Sequence, residues 1–115
     1  MIKELLINDF FIIYNEIQEL YEQDLKIKIN TSLKLLRLYN QMTELHNYII
    51  ERILKVIPNF FVSNYIFNDE EKIIYNHILE NKIEIDNQNI TIEELLENED
   101  IQLKIKGLEK LKLIF

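Results

Sequence analysis

The apolar residues in the central part of the chain recur at helical spacing. From Asn30 to Ile57 a large apolar side chain returns every three or four residues, so these side chains would share one face of a helix. This face consists of Leu35, Leu38, Met42, Leu45, Ile49 and Val56, with Arg52 at its one polar step and Ile53 beside it. Pro58 ends the pattern, because proline disfavours helical conformation in the residue before it. The pattern predicts a helix about 40 Å long, at about 1.5 Å per residue.

A shorter helical pattern precedes the long one. Phe10, Ile13, Ile17 and Leu20 recur at the same spacing and predict a helix from Phe10 to Gln23. Residues 2–7 are mostly apolar and fit either a short edge strand or the first turn of a helix.

An extended connector is expected between these two helices. Leu25, Ile27 and Ile29 alternate with lysines, and a period of two is typical of extended chain. The two helices can then pack antiparallel as a hairpin. Asn30, Thr31 or Ser32 can supply the oxygen that caps the first N–H groups of the long helix.

A third helix and a strand follow Pro58. Asn68 is a favourable N-cap, and the three acidic residues after it lie where the helix dipole favours negative charge. This helix is predicted to end near Asn81, a residue that tolerates the left-handed conformation of a C-cap. Ile83 and Ile85 then alternate with polar residues, which predicts a short strand over Lys82–Asp86.

The chain after this strand contains the signals of a turn and of a short helix. The composition of residues 86–89 predicts a turn. Thr91 followed by Glu94 matches a capping box, in which each side chain satisfies a backbone N–H near the other residue, and opens a helix through Glu97.

Two structures fit the tail. Ile101, Leu103 and Ile105 alternate as in a strand, with a short helix after Gly107; alternatively, one continuous helix carries Ile101, Ile105, Leu108 and Leu111 on one face. We favour the strand followed by a helix, and the continuous helix remains the alternative.

These elements predict one mainly α domain over residues 1–115, at the margin of the α+β class. Its expected architecture is a long central helix in a helical hairpin or small bundle, with a small strand element in the C-terminal third. A chain of 115 residues, 48% of them hydrophobic, can bury a modest core of its own.

The amino-acid composition excludes several kinds of functional site. The chain has no cysteine, so it can form neither a disulfide nor a thiolate metal site, and its single glycine excludes a glycine-rich phosphate loop. Its two histidines, His46 and His77, have no second ligand at the spacing of a helical zinc motif. We therefore predict no catalytic residue, no metal ligand and no cofactor, and a protein that is not an enzyme.

Charge and hydropathy indicate the environment and the partners. A formal net charge of −7 disfavours direct nucleic-acid binding, which requires clustered lysine and arginine, and favours basic protein partners. No apolar run reaches the roughly 18 residues of a membrane span, and Glu4 and Asp9 interrupt the apolar N-terminus where a signal peptide would need a continuous run. These features predict a cytoplasmic protein without a membrane partner.

The segment after Pro58 is the first candidate binding surface. It reads PNFFVSNYIF, with four aromatic residues and no charge, which is unusual for a surface loop. The four candidate residues are Phe60, Phe61, Tyr65 and Phe67. They either fold over the helical core or form an exposed patch that docks on a partner or a second subunit.

An acidic segment is the second candidate surface. Its members are Glu93, Glu94, Glu97, Glu99 and Asp100, with no basic residue between Thr91 and Leu103. Carboxylates can act as general acid and base, but that role requires a cleft or burial, and adjacent acids around a short helix are usually solvated. We interpret the segment as a solvated face or as a negative patch for a basic partner.

The order of these features resembles a family of short, uncharacterised phage proteins of low-GC bacterial hosts. The N-terminal helix of that family corresponds to the run IYNEIQELYEQDLKIKIN and precedes a long helix. Its acidic strand, turn and helix correspond to KIEIDNQNITIEELLENEDIQL, and its short leucine-rich helix to GLEKLKLIF. The resemblance implies a viral origin; it carries no activity and assigns no site residue.

Three functions remain open on these grounds. Small size, acidity and the absence of a catalytic constellation favour a non-catalytic binding protein that docks on a protein partner, such as an inhibitor of a host defence protein. The alternative is a structural or assembly component of a virion that uses the long helix as an oligomer seam. The third hypothesis is a sponge for a small ligand or a nucleotide.

Self-association is also expected. A long helix in so small a chain, together with the aromatic segment, offers more apolar surface than monomers usually expose. The sequence therefore predicts a homodimer, with the long helix or residues 60–67 at its seam.

Overall fold

Helices and one pair of strands make up the part of the protein that the structure describes. A computed structural model of the chain describes residues 1–22, 28–97 and 108–115. In chain order its elements are β1 (Ile2–Leu6), α1 (Ile7–Glu22), α2 (Ile29–Val56), α3 (Asp69–Leu79), β2 (Lys82–Asp86), α4 (Ile92–Leu96) and α5 (Leu108–Leu111). The predicted mainly α fold around a long central helix is confirmed.

The long helix α2 packs against α1 along most of its predicted apolar face. Its buried side chains face those of α1 in one continuous core. The α2 members of this core are Leu35, Leu38, Met42, Ile49 and Ile53; the α1 members include Phe10, Ile13, Ile17 and Leu20. The hairpin therefore buries the stripe of α2 within the chain itself.

The predicted apolar face is wrong at its C-terminal end. Val56 is 44% exposed, whereas Ile53 and Ile57 are buried, and Leu45 is only half-buried. A repeat of 3.5 residues drifts by about 20° per heptad on a helix of 3.6 residues per turn, and Val56 lies three heptads after Leu35. The buried face therefore passes to Ile53 and Ile57 by the end of the helix.

The beginning of α2 also differs from the prediction. The helix begins at Ile29 with Lys28 as its N-cap, and no side chain caps it. None of Asn30, Thr31 and Ser32 is the cap, because all three already lie inside the helix. The Thr31 hydroxyl donates instead to the carboxylate of Glu94, at 2.6 Å.

The strand pair joins the N-terminus to the second half of the chain. β1 and β2 are antiparallel, with Ile2 opposite Asp86 and Leu6 opposite Lys82. The prediction of β2 is confirmed, and residues 2–6, which the sequence left ambiguous, are its partner strand. Two bonds extend the ladder at its ends, from Asn87 N to Met1 O and from Ile7 N to Asn81 O.

Gln41 attaches the central helix to this sheet. Its side-chain amide accepts from the backbone N–H of Asp86 at 2.7 Å and donates to the Asp86 carbonyl at 3.3 Å. A side-chain amide carries the same donor and acceptor as a peptide group, so Gln41 occupies one position on the outer edge of β2 as a third strand would.

The turn after β2 lies where the sequence predicted one. Ile90 N donates to Asn87 O, and the two central residues, Gln88 and Asn89, both have positive φ, as a type I′ turn requires. Thr91 then caps α4. The turn places α4 beside the beginning of α2.

Some predictions fall on residues outside those that the structure describes. These are the end of the first helix at Gln23, the alternation of Leu25 and Ile27, the strand or helix over residues 101–106, and the positions of Glu99 and Asp100. Helix α5 is common to both alternatives for the tail and does not decide between them.

Candidate protein-binding loop

The segment between α2 and α3, residues 58–68, is a series of tight turns, which we call the aromatic loop. Its N–H groups at Phe60, Val62 and Tyr65 donate to the carbonyls of Ile57, Asn59 and Val62 at 2.9–3.1 Å. Asn64 has a φ of 64° at the third position of the last turn, as in a type II turn. Asparagine tolerates this conformation better than most residues, so the sequence supports the turn.

Three aromatic rings hold the aromatic loop against α3. The ring of Phe60 lies 6.1 Å from that of Phe67 and 5.6 Å from that of Tyr75, and Phe67 lies 5.3 Å from Tyr75. Phe60 and Tyr75 also pack against the main core. Phe60 and Phe67, both predicted as binding residues, therefore face the fold, and each is only half-buried.

A buried carboxylate joins the aromatic loop to the first turn of α3. Glu71 is only 8% exposed, and one of its oxygens accepts from Tyr65 Oη at 2.5 Å and from Asn68 N at 3.0 Å. Asn68 Oδ1 accepts from Glu71 N at 2.8 Å, which completes a capping box and confirms Asn68 as the N-cap. The hydrogen bond to Glu71 raises the pKa of Tyr65. Tyr65, a third predicted binding residue, thus fixes the loop.

Three apolar side chains of the aromatic loop point into solvent. Phe61 is 66% exposed, Val62 55% and Ile66 82%. We call them the apolar patch. Phe61 alone among them was a predicted binding residue; Val62 and Ile66 were missed because the prediction rested on aromatic content. The neighbouring Phe60 and Phe67 take the inward positions, and their contacts with Tyr75 could not be read from the segment itself.

Two members of the acidic segment, Glu94 and Glu97, contact α2. Glu94 is half-buried, accepts from the Thr31 hydroxyl, and lies 3.3 Å from the Lys34 ammonium at both of its oxygens. The hydrogen bond from Thr31, together with those from Lys34, lowers the pKa of Glu94 against the opposite effect of its burial. Glu97 pairs with Lys28 at 2.8 Å. Two of the predicted patch residues therefore join α4 to α2.

This arrangement changes the predicted capping box and the predicted patch. Thr91 Oγ1 accepts from Glu94 N at 3.1 Å, which is half of the box, while the Glu94 carboxylate turns to Thr31 instead of the N-cap. Glu93 is exposed. The lysines that pair with Glu94 and Glu97 lie 60 and 69 positions away, so no local pattern could indicate them.

A groove of about 710 Å³ lies beside this junction, at the beginning of α2. Its lining includes Lys28, Lys34, Arg37, Glu94 and Glu97. Both lysines are paired with the two glutamates, and Arg37 adds one further positive charge.

His46 packs against aromatic rings of α1, and the backbone of His77 takes part in the end of α3. His46 stacks on Tyr14, with ring centres 4.5 Å apart, and meets the edge of Phe11 at 5.7 Å. The carbonyl of His77 accepts from the Asn81 side chain at the end of α3. Within the described ranges, no three histidine, aspartate or glutamate side chains are grouped to hold a metal ion.

Comparison of the chain with protein families, with curated proteins and with solved structures gives no match. Of the helices described, none is long and apolar enough to cross a membrane. The candidate site therefore rests on the geometry of the aromatic loop.

Proposed function

We propose that the protein is a non-catalytic binding protein that docks on another protein through the apolar patch of the aromatic loop. The observation that carries this proposal is the exposure of Phe61, Val62 and Ile66 on a loop whose base is fixed by buried contacts. Large exposed apolar patches are typical of protein interaction sites, and these three side chains lie within six consecutive residues of one loop.

The fixed base of the loop favours binding. A loop that already holds its bound conformation loses less conformational entropy on association, so more of the contact energy appears as affinity. The turn hydrogen bonds, the three packed aromatic rings and the Tyr65–Glu71 hydrogen bond supply this order. Interfaces of this kind usually depend on a few apolar or aromatic residues, which suits a patch of three.

The wider role follows from the sequence. A small acidic chain that resembles phage proteins suits an inhibitor that binds a host defence protein in the cytoplasm, and we propose that role. We do not extend the proposal to a virion component, because the stripe of α2 that would form its oligomer seam packs against α1. We keep the homodimer that the sequence predicts as a prediction, without assigning its seam.

Removal of the apolar patch tests this proposal. The variant carries Phe61→Ser, Val62→Ser and Ile66→Ser; the control carries Ile29→Ser, which replaces an equally exposed isoleucine (77%) at the other end of α2. Each chain is immobilised and exposed to a bacterial lysate. We expect a protein that the wild type and the control retain and the triple variant loses at least tenfold. Equal retention by all three chains would refute the patch as the binding site.

A further inference from the structure

We propose that the apolar patch enters a concave apolar pocket on a different protein, and that Ile66 is the side chain that fills this pocket. This inference rests on the proposed function and adds the shape and chemistry of the partner surface.

The exposure of the patch indicates its shape. A side chain that lines a groove is shielded by the walls of the groove, whereas Ile66 keeps 82% of its surface and Phe61 66%. These side chains therefore project from the aromatic loop. A projecting side chain is covered most completely by a cavity, so the concave half of the interface belongs to the partner.

The area of the patch disfavours a second copy of this chain. A stable interface buries about 800 Å² on each partner, while a single aromatic side chain buries about 150–250 Å². Three side chains, none larger than a phenylalanine, fall short of this area when two identical patches meet face to face. A cavity on a partner also contacts the sides of each projecting side chain and the turns beneath it. It therefore buries more area per residue than a flat contact between two patches.

The charges at the two helix ends beside the aromatic loop are nearly balanced, so we expect the shape of the partner surface, and not its charge, to determine binding. The exposed charged residues in the last two turns of α2 and the first turn of α3 are Glu51, Arg52, Lys55, Asp69, Glu70 and Lys72. Three are acidic and three basic, and the buried Glu71 adds one more carboxylate, so most of the chain's surplus of seven negative charges lies elsewhere. The two helix ends that the aromatic loop joins are therefore nearly neutral, and an apolar pocket with a nearly neutral rim is the complementary surface.

The partner is captured with a chain that carries the photoreactive residue p-benzoylphenylalanine in place of Phe61. This position is exposed and aromatic, so the substitution leaves the buried contacts intact. Irradiation in cells should give one main adduct with a different protein, and an excess of untagged wild type should suppress it. An adduct of two copies of this chain would overturn the inference. No adduct that the wild type suppresses would overturn the proposed function as well.

Substitutions of Ile66 by side chains of different volume then test the pocket against the purified partner. In a pocket, loss of one methylene in Ile66→Val weakens binding by about tenfold or more, and Ile66→Ala weakens it further. Ile66→Trp also weakens binding at least tenfold, because the larger side chain does not fit, although it offers more apolar area. On a flat surface the same substitution would preserve or strengthen binding, and that result would overturn the pocket.

Two controls keep this test interpretable. Ile29→Trp makes the same change at a similarly exposed position far from the patch and should leave binding unchanged. Sedimentation equilibrium of the purified chain at micromolar concentration measures self-association. A dimer that Ile66→Ala abolishes would show that a second copy occupies the patch, which would overturn the inference while leaving the patch a binding surface.

Discussion

Residues on the buried face of α2 differ in how completely they are covered, and this difference sets the cost of truncating them. Leu38 has no exposed surface, whereas Leu45 is half-buried at the edge of the core. Leu38→Ala should lower the free energy of unfolding by about 2–5 kcal/mol, as for fully buried leucines. Leu45→Ala should cost about half as much.

Urea unfolding of both variants measures these costs, with the exposed Asn47→Ala as the control, expected within about 0.5 kcal/mol of the wild type. If Leu45→Ala were at least as costly as Leu38→Ala, the centre of the buried face would be where the sequence alone places it, at Leu45.

Among the described members of the acidic segment, Glu94 is the one that should matter to folding. Its carboxylate accepts from Thr31 and Lys34, so Glu94→Gln should lower the free energy of unfolding by about 1 kcal/mol. The comparison variant replaces the exposed Glu93 and Glu97 with glutamine. It should leave the thermal midpoint nearly unchanged, because exposed charges stabilise little.

The pH dependence of stability gives Glu94 a second signature. Its folded-state pKa is lowered, so its contribution is fully present above the ordinary glutamate pKa of about 4.3 and is lost as the pH falls through the lower folded-state pKa. The wild type should therefore lose more stability than Glu94→Gln when acidified from pH 6 to pH 3. Parallel curves for the two proteins would contradict the role of this carboxylate.

At the scale of elements, the aromatic loop depends on one carboxylate. Glu71→Ala removes half of the capping box and leaves Asn68 N and Tyr65 Oη without their acceptor. Loss of the cap alone should cost about 0.5–2 kcal/mol. The backbone amides of Val62 and Tyr65 should exchange hydrogen faster in this variant.

Glu71→Gln keeps an acceptor oxygen and should restore most of the protection, and Glu70→Ala, at an exposed neighbour, should have none of these effects. Unchanged exchange in Glu71→Ala would mean that the packed aromatic rings alone fix the loop.

The strand pair places two like charges opposite each other, and a substitution should relieve their repulsion. Glu4 lies directly opposite Glu84, although its carboxylate also pairs with Lys82 at 3.3 Å. Hydrogen bonds join Met1 to Asn87 and Ile7 to Asn81, and hydrogen-bonded pairs alternate with non-hydrogen-bonded pairs along an antiparallel ladder. Glu4 and Glu84 therefore form a non-hydrogen-bonded pair, in which side chains are closest. Glu84→Thr should stabilise the protein by about 0.2–1 kcal/mol, since it removes like charges and adds a residue that favours strands. The stability gained from Glu84→Thr should be smaller in a chain that already carries Glu4→Thr. An equal gain in the wild type and in the Glu4→Thr chain would show that strand propensity alone causes it.

Local patterns were sufficient to predict the helices and their hairpin but not the pairing of the strands. The spacing of Leu35, Leu38 and Met42 reports which face of a helix is apolar, so α2 could be predicted, and Asn68 was recognised as a cap from residue type. The pairing of β1 with β2 was not predictable, because a run such as residues 2–6 fits a strand or a helix until its partner is known. Tertiary contacts between distant residues decide such cases.

For the candidate site, the sequence predicted the segment but not which of its side chains are exposed. The sequence identified the segment that contains the apolar patch, because a run of aromatic residues without charge is unusual in a loop. It did not distinguish Phe61 from Phe60, since that difference depends on Tyr75 in the following helix. It also treated Glu94 and Glu97 as unpaired, because their lysines lie in another element.

At the scale of the whole molecule, Gln41 connects the helical hairpin to the sheet. Gln41→Met keeps the length of the side chain and removes both hydrogen bonds to Asp86, so it should lower the free energy of unfolding by about 1–3 kcal/mol. Gln18→Met, whose amide bonds only to an exposed glutamate on the same helix, is the matched control and should change stability little. Equal effects of the two substitutions in urea unfolding would show that the sheet does not depend on this contact.

The pairing of β1 with β2 also determines the order in which the molecule can assemble. Met1 and Asp86, which meet at one end of the ladder, are separated by 85 positions in the chain. Closing a loop of that length costs about 4 kcal/mol of chain entropy from its logarithmic term, whereas neighbouring helices in a hairpin meet across only a few residues. The strands can pair at lower entropic cost once α1 and α2 have brought the two distant segments together. The sheet is therefore expected to form last and, under mildly denaturing conditions, to open while the helical hairpin still holds.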